Sequence, residues 1–341
     1  MKYQAYIGTY SVRGSRGIYL IEADSGTGAL KILDAWQAES PSYLAISEAG
    51  GKKFLYAALE CKEFENSPGG GAASFVIGSG GSLTKLSARP TKGRSPCHVC
   101  PGPDGKKLFV ANYGDGTLSI FNVENGKLSE ASVIAHSGQG PNQARQKGPH
   151  VHCAQLEPGT GRLCVIDLGI DQAVFYNLKD MSRSGSFATD GGAGPRHVVF
   201  SKHSPFAWLV CELSSQVYAF EPKSGKRIGV YSTLPSGFKG ESSCAAIKLS
   251  PDEKNLYASN RGHDSIACYD IDRKTGALSL RAICPTGGKN PRDFAISPDG
   301  AFLYAANQDS DNIKVFKLEK GLPVETGQSL DIPAPVCVVI S

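Results

Sequence analysis

Ala246-Ile247-Lys248-Leu249-Ser250-Pro251-Asp252 runs on to Leu256-Tyr257-Ala258-Ser259-Asn260, and the chain then repeats itself: Phe294-Ala295-Ile296-Ser297-Pro298-Asp299-Gly300 runs on to Leu303-Tyr304-Ala305-Ala306-Asn307. Each half reads as a short apolar strand, a turn of Ser, Pro, Asp and Gly, and a second strand ending in a small polar residue. A third strand with alternating apolar positions follows, as in Ser265-Ile266-Ala267-Cys268-Tyr269-Asp270. A Thr-Gly turn and a Leu then lead into a fourth, as in Thr275-Gly276-Ala277-Leu278. The unit is a four-stranded antiparallel meander.

The same grammar begins near Pro41, Pro96, Pro149 and Pro195. With Cys244, Pro291 and Pro335 the starts step by 55, 53, 46, 49, 47 and 44 residues, the period of a propeller blade. The seventh start, Pro335-Val336-Cys337-Val338-Val339-Ile340-Ser341, holds only a first strand. Its missing partners stand at the other end: Ala5-Tyr6-Ile7-Gly8-Thr9, Gly17-Ile18-Tyr19-Leu20-Ile21 and the Thr27-Gly28-Ala29-Leu30 turn. The sequence therefore predicts an all-β, seven-bladed β-propeller of four-stranded antiparallel blades, its last blade closed by both termini, with residues 1–341 as one domain. Closure of that kind leaves no free sheet edge at the seam. No run alternates strands with amphipathic helices, so an α/β barrel is excluded.

Composition narrows the function. The chain has 341 residues with 40 Gly and 20 Pro, too many turn formers for a helical rod. Its 36 Lys and Arg against 32 Asp and Glu contain no long run of one sign, which argues against nucleic-acid and membrane-surface partners. No apolar stretch reads as a leader or a span, and the expected location is cytoplasmic. The ten cysteines fall mostly in strand positions where sibling segments carry Ala, Val or Ser, and read as buried thiols. Gly69-Gly70-Gly71 lacks the Lys-Ser/Thr of a phosphate loop, and the stretch from 66 to 71 reads as a flexible insertion.

In a propeller the start of each first strand and the end of each second strand open on one mouth of the central channel. The strand-one starts include Ser42, Cys97, His150, Arg196, Ala245, Arg292 and Val336. The strand-two ends supply Thr9, Leu59, Asn112, Asp167, Glu212, Asn260 and Asn307, followed by Tyr10, Glu60, Tyr113, Arg261 and Gln308. Arg196 and Glu212 taken alone read as an ion pair between strands, and the Asn and Asp residues as turn caps. The surplus of Arg196, Arg261 and Arg292 over Glu212 points instead to a small anionic ligand, gripped by planar guanidinium groups. A long polar loop, residues 138–149, precedes His150 and is placed to lie over the mouth. His150 and His152, two apart on a strand, face one side. They suggest a metal pair completed by Glu212 or Asp167, but the reading taken is a site without metal or cofactor. His98 and His197 face the other way and read as structural.

With these motifs in place, the chain resembles the seven-bladed propeller lactonases, a family that includes propeller-type 6-phosphogluconolactonases and carboxy-muconate cyclases. The resemblance rests on Ile7-Gly8-Thr9-Tyr10, Pro41-Ser42-Tyr43-Leu44, Ala111-Asn112-Tyr113-Gly114, Gly140-Pro141-Asn142 with Gln146, Pro149-His150-Val151-His152, Asp167-Leu168-Gly169, Gly194-Pro195-Arg196-His197, Glu212-Leu213, Ser259-Asn260-Arg261-Gly262 and Pro291-Arg292-Asp293-Phe294. It implies a metal-free site in which His150, Arg196, Glu212 and Arg261 surround a lactone, with Arg292, Gln146, Asn112, His152 and Asn307 as further substrate contacts. It also implies hydrolysis of 6-phospho-glucono-1,5-lactone to 6-phosphogluconate, with Glu212 or His150 as base. The alternatives are cycloisomerisation of a carboxylate substrate at the same mouth, and a propeller that only binds protein partners. At Gln143-Ala144-Arg145 the loop departs from the familiar family run.

Overall fold

The Ser-Pro-Asp turns make the hairpins. Ser250 Oγ donates to Asp252 Oδ1 at 2.7 Å and accepts Asn255 N at 3.0 Å, and Ser297 does the same with Asp299 and with Phe302 N at 2.8 Å. One hydroxyl thus fixes the reversal and starts the returning strand. In the computed structural model, which describes residues 2–341, seven such units stand as sheets around one axis. The innermost strands are Pro41–Ala49, Pro96–Pro101, Val151–Glu157, Pro195–Phe200, Ser243–Leu249, Pro291–Ile296 and Pro335–Ile340. Each touches the next, and the last touches the first, so the ring is closed.

The seam is built as expected. Pro335–Ile340 pairs antiparallel with Lys2–Thr9, which pairs with Gly17–Asp24 and through it Leu30–Gln37, so one sheet draws on both ends of the chain. Six sheets are four-stranded. In the blade from Pro96, the strand Thr117–Glu124 pairs with both Lys127–Leu128 and Ser132–Ala135, so its outer edge is split. Among the described residues helix is confined to two 3-10 turns, Ser79–Gly81 and Gln308–Ser310, and no helix is long and apolar enough to cross a membrane.

The core lies between sheets. Ala246, Tyr257, Ile266 and Cys268 of one blade pack on Phe294, Leu303, Ala305 and Phe316 of the next, and the pattern recurs around the ring. All ten cysteines are free and nine are buried. The segment at 66–71 differs from its expected flexibility. Glu63–Phe64 and Ser67–Pro68 form a small hairpin, and a Cβ on Gly70 would stand 2.3 Å from the Pro96 ring and 2.5 Å from Leu59 O. Glycine there serves close packing.

Three asparagines at strand-two ends clamp the blades. Asn260 Nδ2 donates to Thr233 O at 2.9 Å and Ser265 Oγ at 3.1 Å, while its Oδ1 accepts Thr233 Oγ1 at 2.6 Å. Asn307 Nδ2 reaches Thr286 O and Asn312 Oδ1, and Asn112 Nδ2 reaches Thr117 Oγ1 and Ser119 Oγ. Each ties its strand to a neighbouring strand or to the segment that arrives from the previous blade. Asn260→Ala removes four bonds, the fourth from Cys244 Sγ to Oδ1 at 3.3 Å, and strands the Thr233 carbonyl in a fully buried position. The expected loss is about 1–3 kcal/mol in urea unfolding, and an unchanged midpoint would show the clamp to be idle.

Candidate active site

A bulge at the head of the innermost strands builds the mouth. Pro41 pairs with Leu59 and Tyr43 with Ala58, leaving Ser42 outside the ladder. The same slip frees Cys97, His152, Arg196, Arg292 and Val336 in their blades. A bulged residue leaves the pleat and can be re-aimed, here around the channel axis. One expectation is corrected by this register. The residue opposite Asp167 is Val151, not Pro149, so His152 rather than His150 occupies the position that Arg196 and Arg292 hold. Pro149 belongs to the preceding loop, and His150 stands ahead of the strand.

Glu212 is the centre of the charge cluster. It follows the strand Ala207–Cys211, is 5% exposed, and is held by its own N–H on Gly194 O at 2.7 Å. Its Oε1 accepts Arg145 Nη2 at 2.6 Å; its Oε2 accepts Arg261 Nη2 at 2.9 Å and Arg196 Nε at 3.2 Å, with His152 Nε2 at 3.9 Å. Burial pushes this carboxyl up, but Arg261, Arg196 and Arg145 outweigh it and hold it well below the usual carboxylate range. Glu212 is therefore ionised across the ordinary pH range. Arg196 and Arg261 are also tied to backbone, through Ala245 O at 2.6 Å and Cys244 O at 3.0 Å. Burial and then Arg196 hold the His152 imidazole neutral.

Arg292 is different. Among the described residues its guanidinium makes no hydrogen bond and no ion pair, and it lies over the Tyr10 ring with its central carbon 5.3 Å from the ring centre. Tyr10 in turn donates to Glu60 Oε2 at 3.0 Å. The mouth thus holds four guanidinium groups, those of Arg145, Arg196, Arg261 and Arg292, against the carboxylates of Glu60 and Glu212. Around it lie buried polar atoms with no protein partner: Ser42 Oγ, Ser214 Oγ, Ser242 Oγ, Arg261 Nε, Asn290 Oδ1 and Gln308 Oε1. A groove of about 700 Å³ beside Arg261, lined by Ser242, Lys289 and Asn290, opens from this edge.

His150 approaches from the loop side. Its N–H donates to Asp167 Oδ1 at 2.7 Å, and its ring stacks on Tyr113, 4.4 Å between centres. Its Nδ1 lies 2.7 Å from Tyr113 O. A carbonyl only accepts, so Nδ1 carries the proton and Nε2 keeps a lone pair. His152 meets the same Tyr113 ring edge-on at 5.5 Å. Asp167 is turned to His136, Oδ2 to Nδ1 at 2.7 Å, and no three of the described His, Cys, Asp and Glu residues gather at metal-binding spacing.

Beside this geometry, the family profile described as "Lactonase, 7-bladed beta-propeller" matches residues 4–340. The chain belongs to the seven-bladed β-propeller lactonase family. It is 37% identical to the 6-phosphogluconolactonase of Bacillus subtilis (strain 168), over 99% of this chain and 98% of that protein. It superposes on a periplasmic gluconolactonase of Pseudomonas aeruginosa with TM-score 0.92, 29% identity, and 100% and 99% of the two chains covered. A Bacteroides fragilis structure provisionally named a 6-phosphogluconolactonase gives TM-score 0.91 at 30% identity, over 100% and 98%. None of these three relatives lends support to cycloisomerisation.

Of the lactonase residues expected from sequence, Arg196, Glu212, Arg261 and His152 are brought into one cluster, with Arg292 and His150 on its margins. Three others are held by protein contacts. Gln146 is fully buried and spent on the loop, donating to Leu168 O and Asp171 Oδ1 at 2.8 Å each and accepting Asn142 N at 3.1 Å. Asn112 and Asn307 are the blade clamps described above, also with no exposed surface; their Nδ2 atoms do the clamping and each Oδ1 keeps no protein partner. Sequence reasoning missed Arg145, which the 138–149 loop carries onto Glu212 and Tyr113 Oη at 3.0 Å. It also collected Tyr10, Glu60 and Tyr113 at the mouth without giving them a role.

Proposed function

We propose that this protein hydrolyses 6-phospho-glucono-1,5-lactone to 6-phosphogluconate in the cytoplasm. The observation that carries the reading is Arg292, a mostly enclosed guanidinium left without an acceptor in a mouth already rich in cations. A phosphate dianion is the natural partner of such a group. The orphaned Ser, Asn and Gln oxygens and Arg261 Nε suit a ligand rich in hydroxyls, because buried polar atoms are otherwise paired. The name carried by the Bacillus subtilis relative supports the same substrate.

His150 Nε2 removes a proton from water as the water oxygen bonds to the lactone carbonyl carbon. Arg196 and Arg261 face the charge that grows on the carbonyl oxygen. The ring carbon–oxygen bond then breaks, the imidazolium returns its proton to the ring oxygen, and the product leaves as a hydroxy acid. Glu212, ionised and surrounded by Arg, holds those guanidinium groups in place. Arg145 stands on a loop and its side chain is 40% exposed, so it can turn from Glu212 to an arriving anion.

The test is lactone opening above the spontaneous rate, with the phosphorylated lactone and with glucono-1,5-lactone. Arg292→Met is expected to raise KM for the phosphorylated substrate by about 10–100-fold and to leave the unphosphorylated one nearly unchanged. No enzymatic rate with either lactone refutes the reading, and equal losses on both place the phosphate away from Arg292.

A further inference from the structure

The other end of the channel holds polar groups that the proposed hydrolysis does not use. Where the innermost strands leave the ring, a cavity of about 470 Å³ is lined by Tyr43, His98, Gln155, His197 and Lys248, with Lys202 and His203 at its rim. Between this cavity and the front mouth the rings of Tyr43, His98, His197 and His152 form a plug. Tyr43 stacks on His98 at 4.0 Å, and His197 meets His98 and His152 edge-on at 5.4 and 5.3 Å. The rear cavity is thus separate from the site around Glu212.

Its free groups are donors. Lys248 Nζ has one partner, Asp293 Oδ1 at 3.3 Å, and Asp293 Oδ2 is already taken by Val338 N at 2.9 Å. Burial pushes Lys248 down, but Asp293 and Cys337 outweigh it, so the ammonium stays charged with N–H groups to spare. The Cys153 thiol, pushed up to about 12 by burial, keeps its proton and lies 3.5 Å from His98 Nε2, close enough to donate to it. His98, pushed down to about 3 by burial and by Lys248 and Arg196, is neutral, and with the thiol proton directed at Nε2 its own ring proton sits on Nδ1. That Nδ1 is buried and has no partner, in a residue only 3% exposed. The one other carboxylate on the lining, Glu253, is occupied by Ser201 Oγ and Lys202 N. Donors in excess of their acceptors call for an acceptor-rich ligand.

We propose that this rear cavity is a second anion site, which takes a phosphoryl group through Lys248 Nζ and His98 Nδ1, either as inorganic phosphate or on a sugar-sized molecule for which the volume leaves room. The site is independent of the reading given to the front mouth.

Calorimetric titration with inorganic phosphate and, separately, with 6-phosphogluconate tests it. Arg292→Met should weaken a front class of binding and leave a second class intact. His98→Phe keeps the ring stacked on Tyr43 and removes the donor, and should weaken that second class by about tenfold or more. Lys248→Met alone would strand Asp293, so the paired Lys248→Met/Asp293→Asn variant, checked for folding by circular dichroism, should do the same. Tighter binding of 6-phosphogluconate marks a sugar phosphate as the ligand; comparable binding of the two marks phosphate itself. A single class of site abolished by Arg292→Met, or a second class indifferent to both rear variants, overturns the proposal.

Discussion

Glu212→Gln is expected to be the most damaging single-atom exchange in the protein. The carboxylate is the common partner of Arg145, Arg196 and Arg261; Arg196 is buried, and Arg261 is largely enclosed and tied to Cys244 O. Breaking a buried charge set from one side costs about 3–5 kcal/mol, because the remaining charges keep their desolvation penalty and lose their partner. The same substitution loosens the guanidinium groups that face the reacting carbonyl, so kcat/KM should fall by about 100–1,000-fold. The stability deficit has a definite pH dependence. The folded pKa of Glu212 lies below its ordinary 4.5, so the wild-type carboxylate contributes its full stability above about pH 4.5 and loses it as pH falls toward the folded value. The gap between wild type and Glu212→Gln in urea unfolding should therefore be widest near neutrality and narrow only in acid. A gap of the same size at pH 7 and pH 3, or none at pH 7, would remove Glu212 from its place as anchor.

Most of the ring was legible because its signals are local. A Ser-Pro-Asp turn declares a hairpin within a dozen residues, and a strand grammar that starts seven times leaves one arrangement for the strands left over at the two termini. Register was legible wherever proline marked it, and at Cys244, where the neighbouring repeat supplied the alignment. In the blade that begins at Val151 the marker is absent, and Pro149 two residues earlier imitates it, so the bulged histidine was assigned one alternation too soon. Depth was not legible either. An amide at a strand end has the same sequence signature whether it meets a ligand or clamps a neighbouring strand, and the Nδ2 atoms of Asn112 and Asn307 do the second. The threonines at 233 and 286, each just beyond a fourth strand and each bonded to an Asn of the following blade, are the pattern that distinguishes them. Arg145 left no such trace: its partner lies 67 residues away, and only the fold of the 138–149 loop, stapled internally by Gln146, brings the two together.

His150→Ala should lower kcat by about 100-fold while KM changes little, since a general base contributes to the transition state more than to ground-state binding. The substitution is unusually clean. The contact that fixes this segment is the backbone N–H of residue 150 on Asp167 Oδ1, which any side chain preserves, and Asp167 has His136 and Gly169 N as further partners. What is lost is the imidazole, its stacking on Tyr113 and the Nδ1 bond to the Tyr113 carbonyl. Small imidazole added to the assay can occupy the vacated space over Tyr113, and it should restore part of the rate to His150→Ala but none to Glu212→Gln. That contrast separates the two carriers left open by the sequence. Glu212, held ionised by three arginines, is a poor proton acceptor, because the environment that lowers its pKa also lowers its basicity. An undiminished kcat in His150→Ala would give the proton back to Glu212, and would require Arg145 to leave the carboxylate before each turnover.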